Sequence, residues 1–271
     1  MSGMTAYLIP PRDLLSFYAE AGVDTAVAET PNDYLSAPAL APAPAPASPA
    51  PTRRERGMSV QVAPTVISSP PAVPEAAVMA AREAARSAKT LDELRALLEQ
   101  FEGCALKATA SRLVFADGNP EGRLMLVGEA PGREEDIEGL PFVGRSGKLL
   151  DLMLNAIGLD RTKVYIANIV PWRPPGNRTP TPVETQICLP FIQRQIELAD
   201  PDILACVGGP SSAALLNLQG ILKNRGRWLA YNTGTREIRA MATLHPAYLL
   251  RSPIAKRLAW RDMLAIKKAL G

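Results

Sequence analysis

Histidine is almost missing from this chain: His245 is the one imidazole in 271 residues. A Ser-His-Asp hydrolase would have to use it, and a zinc site needing two or three imidazoles cannot be built within one chain. Cysteine is nearly as sparse, and Cys104, Cys188 and Cys206 are far apart and odd in number. That argues against a disulfide framework and for reduced thiols in a cytoplasm. No apolar run is long enough to span a membrane, and the segment from Met4 to Ala28 lacks the basic start and unbroken apolar stretch of a signal peptide. The phosphate-loop ending Gly-Lys-Ser/Thr and the dinucleotide fingerprint Gly-x-Gly-x-x-Gly are both absent.

What is abundant is alanine and proline, and they are unevenly placed. Residues 1–74 carry runs such as Ala41-Pro42-Ala43-Pro44-Ala45-Pro46, which cannot bury a core and read as a largely disordered, partly polyproline-II region. Within it, Leu14, Leu15, Phe17 and Tyr18 are spaced for one short helix near 4–28, a candidate docking element for a protein partner. Residues 75–103 read as a helical lead-in and residues 104–271 as the main domain. Charge divides at the same boundary. Residues 1–103 hold 8 Lys/Arg against 12 Asp/Glu, whereas residues 104–271 hold 22 against 15, so the overall +3 conceals a basic domain suited to a polyanion.

The main domain alternates short apolar runs with helical periodicity. Thr90-Leu91-Asp92-Glu93 fits a capping box opening a helix through about Phe101. Strands are expected over Arg123 to Val127, Val164 to Val170, Ile203 to Val207 and Ile238 to Leu244. Helices are expected over Lys148 to Ile157, Pro182 to Leu198, Ser212 to Leu218 and Lys256 to Leu270. This order predicts a three-layer α/β/α fold around a mainly parallel four-stranded sheet, with ligands bound at the carboxyl ends of the strands.

The unusual residues lie at those ends. Gly128-Glu129-Ala130-Pro131-Gly132 follows the first strand as a tight loop whose backbone donors can face an anion or a carbonyl. Glu135 and Asp136 stand just beyond it, where a solvated pair at a helix start is the plainer reading. Phe142 lies among Pro and Gly residues rather than on an apolar face, so it can serve as a stacking platform. Asn168 closes the second strand with an amide able to pair with a planar ligand. The loop Arg173-Pro174-Pro175-Gly176-Asn177-Arg178 after it is rigid and cationic. Finally, Pro246 bars helix at His245, and Tyr248-Leu249-Leu250-Arg251 adds two aliphatic side chains and a cation in what reads as a nucleic-acid-binding loop.

In this order, the four blocks resemble the uracil-DNA glycosylase superfamily, most closely its family-4, iron–sulfur branch, over about Cys104 to the C-terminus. The resemblance implies a monofunctional base-excision enzyme that flips uracil out of DNA and cuts its N-glycosidic bond. It assigns His245 to the leaving-group oxygen O2, Asn168 to the uracil edge, and Phe142, with Ala130 in the loop, to the ring. Leu249 and Leu250 become candidates for the wedge and Arg251 for its phosphate anchor, with Arg145, Arg173, Asn177 and Arg178 along the DNA. Ala130 stands where the best-known branch has an aspartate and cannot orient water. Glu129 and Glu135 are therefore the candidate carboxylates, with Asp136 behind them.

The same resemblance exposes a departure. Family 4 holds a [4Fe–4S] centre through four cysteines, of which Cys104 and Cys188 match two, while Phe101 and Trp172 occupy the other two positions. Two thiolates cannot hold a cubane that takes four, and Cys206, on an expected buried strand, reads as core. No cluster and no other cofactor are therefore expected, with Phe101 and Trp172 filling the volume. The resemblance implies uracil-containing DNA, single- or double-stranded, as the partner, and a monomer in the cytoplasm, on the nucleoid in a bacterium, is expected. Two other readings keep the pocket: a uracil- or abasic-DNA binder with little turnover, and a nucleotide-binding α/β module that needs no DNA.

Overall fold

The computed structural model describes residues 74–271; the Ala/Pro-rich lead-in and the helix expected near 4–28 lie outside the described residues. Two helices come first, α1 (Pro74–Ser87) and α2 (Leu91–Gln100). Thr90 caps α2 by accepting the Glu93 N–H at 3.2 Å, while the Glu93 carboxylate reaches back to the Lys89 N–H at 2.6 Å, one residue short of the expected partner.

The sheet has six strands in the order β1-β3-β2-β4-β6-β5. The four inner ones, β2 (Leu124–Gly128), β3 (Val164–Asn168), β4 (Ile203–Val207) and β6 (Glu237–Thr243), run parallel, and β2, β3 and β4 are buried along their whole length. These are the four strands the apolar runs predict. Two further edge strands correct the four-stranded expectation: β1 (Asp117–Gly118) pairs antiparallel with β3, and β5 (Trp228–Asn232) pairs antiparallel with β6. β1, two residues of Asp and Gly, leaves no apolar signature, whereas β5 carries Trp228-Leu229-Ala230-Tyr231 as a half-exposed edge strand that is not among those expected from the sequence. Arg239 of β6 covers the Trp228 ring at 4.3 Å, shielding that edge.

Alternation along the strands divides the core into two faces. Met125, Val127, Tyr165, Ala167, Leu204 and Cys206 face α1, α2 and α5 (Pro182–Ala199). Leu124, Leu126, Val164, Ile166, Ile203 and Ala205 face α4 (Arg145–Asn155) and α9 (Lys256–Leu270), following a short helix α3 (Arg133–Glu138). The remaining helices, α6 (Gly209–Leu216), α7 (Ile221–Asn224) and α8 (Pro246–Arg251), follow β4 and β6. The end of β6 is pinned from outside the sheet: Asp262 of α9 accepts the Thr243 hydroxyl at 2.8 Å and pairs with Arg225, which fixes the strand that delivers His245. Among the described residues no helix is long and apolar enough to cross a membrane.

Candidate functional site

The carboxyl ends of β2, β3 and β6 open into one cavity of 210 Å³ lined by Glu129, Ala130, Phe142, Asn168, Asn177 and His245, among others. Gly128 and Asn168 are register partners across β2 and β3, and the ladder continues as Ile169 N–H to Gly128 O (3.0 Å) and Val170 N–H to Glu129 O (3.0 Å). Gly128 must be glycine here: a Cβ would stand 2.4 Å from Asn168 Oδ1 and 2.6 Å from Phe142 Cζ. The missing side chain leaves the space that the amide oxygen and the ring edge both occupy.

Phe142 is held in a strained conformation, with φ +55°. Two features hold it. Arg161 donates to the carbonyls of Pro141 and Phe142 and is itself paired with Asp117 and Asp151. Gly147 lets helix α4 start directly against the Phe142 carbonyl, where a Cβ would sit 1.6 Å away. The ring then stacks on the His245 imidazole, centroids 5.4 Å apart and planes 28° from parallel.

His245 is the N-cap of α8, and its Nδ1 accepts the Ala247 N–H at 3.1 Å. Accepting at Nδ1 leaves the single proton of a neutral ring on Nε2. Burial, reinforced by the Arg251 cation and opposed by Glu135, pushes the imidazole down to about 4, so the ring is neutral at cellular pH. The segment after His245 is thus a short helix rather than the expected loop, since Pro246 takes the first helical position, where its missing N–H costs nothing.

The three acidic candidates separate clearly. Glu135 is committed to the backbone, accepting from Gly132 (3.0 Å), Val143 (3.1 Å) and Gly144 (3.0 Å), so both its oxygens brace the two loops that form the cavity. Asp136 points away, accepting from the Ser111 and Arg112 N–H groups at 2.7 and 3.2 Å. Glu129 faces the cavity with an oxygen to spare: its Oε1 is buried without a partner, and burial, opposed by the neighbouring Thr179 side chain, raises its carboxyl above the ordinary range. Placing water with Glu135 is therefore at odds with where its oxygens are spent, and Asp136 does not line the cavity.

Of the cationic candidates only Arg178 lines the cavity, and the four are in different states. Arg178 is held bidentate by Glu184 at 2.7 and 2.8 Å, and this pair holds the Glu184 carboxyl down at about 2. Arg173 donates to Asn177 Oδ1 at 2.7 Å and approaches Asp136. Arg145 and Arg251 are exposed. Of the two leucines, Leu250 is 38% exposed, but Leu249 is 1% exposed and packs with Leu244, Ala255 and Ala259. Leu249 therefore does not project as a wedge, because the short helix turns it inward. Ser146, Thr179 and Pro180 also line the cavity and are not singled out in the sequence, although Ser146 adjoins Arg145 and Thr179 adjoins Arg178; Pro174 lines it from within the cationic loop.

A model of the uracil DNA glycosylase superfamily matches residues 115–264, which include every block at the strand ends. The chain belongs to that superfamily. Type-4 uracil-DNA glycosylases are among its relatives: that of Saccharolobus solfataricus is 37% identical over 186 residues, 66% of this chain and 86% of the relative. That of Archaeoglobus fulgidus is 36% identical over 61% of this chain and 85% of the relative, and that of Thermotoga maritima 41% over 57% and 80%. These matches place the chain in the type-4 branch of the superfamily.

That branch draws attention to the corner where α5 meets the segment after α2. Cys104 and Cys188 are both buried there, their sulfurs 3.9 Å apart. Trp172, 2% exposed, packs in the same cluster, and the Phe101 ring meets Phe191 edge-on with centroids 5.0 Å apart. Cys206 is buried on β4, where burial raises its thiol. Among the described residues no three His, Cys, Asp or Glu side chains gather as a metal site.

Proposed function

We propose that the protein is a uracil-DNA glycosylase of base excision repair, hydrolysing the N-glycosidic bond of uracil flipped out of DNA and leaving an abasic site. The observation that carries this reading is His245, whose Nδ1 accepts the Ala247 N–H so that Nε2 is left as the donor, stacked on Phe142 in the same cavity as Asn168. As the C1′–N1 bond breaks, its electron pair leaves with uracil, and a fixed neutral donor at O2 stabilises that anion. Asn168 pairs with the base edge, and Phe142 and Ala130 supply apolar wall. Water adds its oxygen to C1′, and the proton it loses ends on the departing uracil anion; Glu129, the cavity carboxylate with an uncommitted oxygen, positions that water and offsets the positive charge on the sugar. Glu135 keeps the two loops in place. Arg145, Arg173, Asn177, Arg178, Leu250 and Arg251 form the DNA-facing rim, and Arg178 must leave Glu184 or reach past it to bind phosphate.

The enzyme works without an iron–sulfur cluster. Supporting this, a four-thiolate cubane does not fit a corner that offers two sulfurs at 3.9 Å and carbon rings at the other two family positions. A monomer acting in the cytoplasm, on the nucleoid in a bacterium, belongs to the same proposal and agrees with three buried free thiols. Incubating a uracil-containing oligonucleotide with the protein and then cleaving at abasic sites with alkali tests it. Strand scission at the uracil is expected, and its absence at high enzyme concentration would remove the reading. Free-nucleotide affinity without scission would favour a nucleotide-binding module instead.

A further inference from the structure

We propose that Ile254, acting with Leu250, fills the gap left in the base stack when the target nucleotide swings out, and that Leu249 does not. The proposal rests on the glycosylase reading above. Ile254 is 75% exposed, more than any other large apolar side chain among the described residues. Single exposed apolar residues are ordinary. This one stands on a built lobe. After α8, the Ser252 N–H bonds Tyr248 O at 2.8 Å and the Ala255 N–H bonds Ser252 O at 2.9 Å, closing a single turn at Pro253–Ala255. Leu249 and Ala255 are turned into a common apolar cluster with Leu244 and Ala259, while Leu250 and Ile254 are left outside. The lobe is thus nailed down on both sides of two outward aliphatic groups.

Its position is that of a wedge. The lobe grows directly from His245, the N-cap of α8, and Arg251 stands between the two aliphatic residues in the chain, exposed like them. Pro253 and the β-branched Ile254 have little conformational freedom to lose on insertion. Aliphatic side chains inserted at a base step are a recurrent means of holding a duplex unstacked. A single strand has no stack to refill, so the benefit of the wedge belongs to duplex substrates.

The readout is the ratio of kcat/KM on a U:A duplex to kcat/KM on the same strand alone. Ile254→Ala is expected to lower that ratio by at least about tenfold, since unstacking a pair costs a few kcal/mol, with an unchanged melting midpoint. Ile254→Leu should restore it, and Leu249→Ala should lower the melting midpoint while leaving the ratio of the folded protein near that of the wild type. A smaller fall in Ile254→Ala, or an equal fall in Leu249→Ala, overturns the assignment. Failure of the wild type on both forms of DNA would instead remove the glycosylase reading beneath it.

Discussion

At the strand ends, Asn168, Glu129 and His245 turn polar atoms toward a cavity, and Gly128, Gly147 and the Glu135 carboxylate exist there to let them approach. At the Cys104–Cys188 corner, reached only a few residues beyond Asn168, most side chains are apolar and the two thiols meet at 3.9 Å, Cys188 donating to Cys104. Both regions carry family positions. A reactive cavity must present particular atoms at particular places, so its residues cannot be exchanged for others of similar volume. A staple has only to hold two segments together, and apolar burial does that as well as metal–thiolate bonds.

The comparison breaks most visibly if each region is truncated in turn. Trp172→Ala is expected to cost about 3–5 kcal/mol of stability, the range for deleting a large buried aromatic side chain. Denaturant melts measure this, and kcat of the remaining folded protein should stay close to wild type. His245→Ala should do the reverse: a loss of about 100–1000-fold in kcat, or about 2.7–4 kcal/mol of transition-state stabilisation, with little change in melting. If Trp172→Ala abolished kcat in folded protein, the corner would be part of the catalytic machinery and the distinction would fail.

Glu129 sharpens the comparison from inside the cavity. Its carboxyl is raised by burial, so its ionised form is lost at a higher pH than that of an ordinary glutamate. The acid limb of kcat/KM should therefore lie above the usual carboxylate range, and not at His245, which stays neutral down to about 4. Glu129→Gln should remove that limb and cost about 100-fold in rate. Stability should move the other way. A carboxyl whose pKa is raised on folding contributes stability at low pH that is lost as pH rises through the folded value. At neutral pH the glutamine variant should then melt no lower than wild type, and a lower melting point would mean that the free oxygen has a structural partner.

How much of this was legible follows the same division. The four inner strands show in the sequence because a strand buried on both faces must be an apolar run, and Ile203–Val207 is placed residue for residue. Asp117–Gly118 does not show, since it is defined by pairing rather than by burial, while the short apolar run at 228–231 is legible but is not among the strands expected. Asn168, Phe142 and His245 are legible as chemistry out of place: an amide closing an apolar strand, an aromatic among glycines, and an imidazole before proline. Arg161, which holds the strained Phe142, lies in an ordinary polar loop and is seen only in three dimensions. Likewise Glu135 and Glu129 look equivalent in the sequence, and only their hydrogen bonds tell a brace from a free carboxylate. Leu249 and Leu250 are adjacent leucines until a one-turn helix buries one and exposes the other.

The smallest expected effect bears most directly on the corner. If Cys104 and Cys188 are core atoms rather than ligands, Cys104→Ala and Cys188→Ala should each cost only about 1 kcal/mol, the loss of one buried group the size of a methylene. Glycosylase activity should be retained in both. Protein purified without oxygen should contain no stoichiometric iron or visible charge-transfer absorption, and the double variant should match wild type in both measurements. In a cluster protein, losing a ligand removes metal and fold together, because the binding energy of the metal is folding energy. Collapse of the fold in either single variant, accompanied by loss of iron, would show that metal–thiolate bonds hold this corner. A small additive loss would show that Trp172, Phe101 and Phe191 hold it by packing alone.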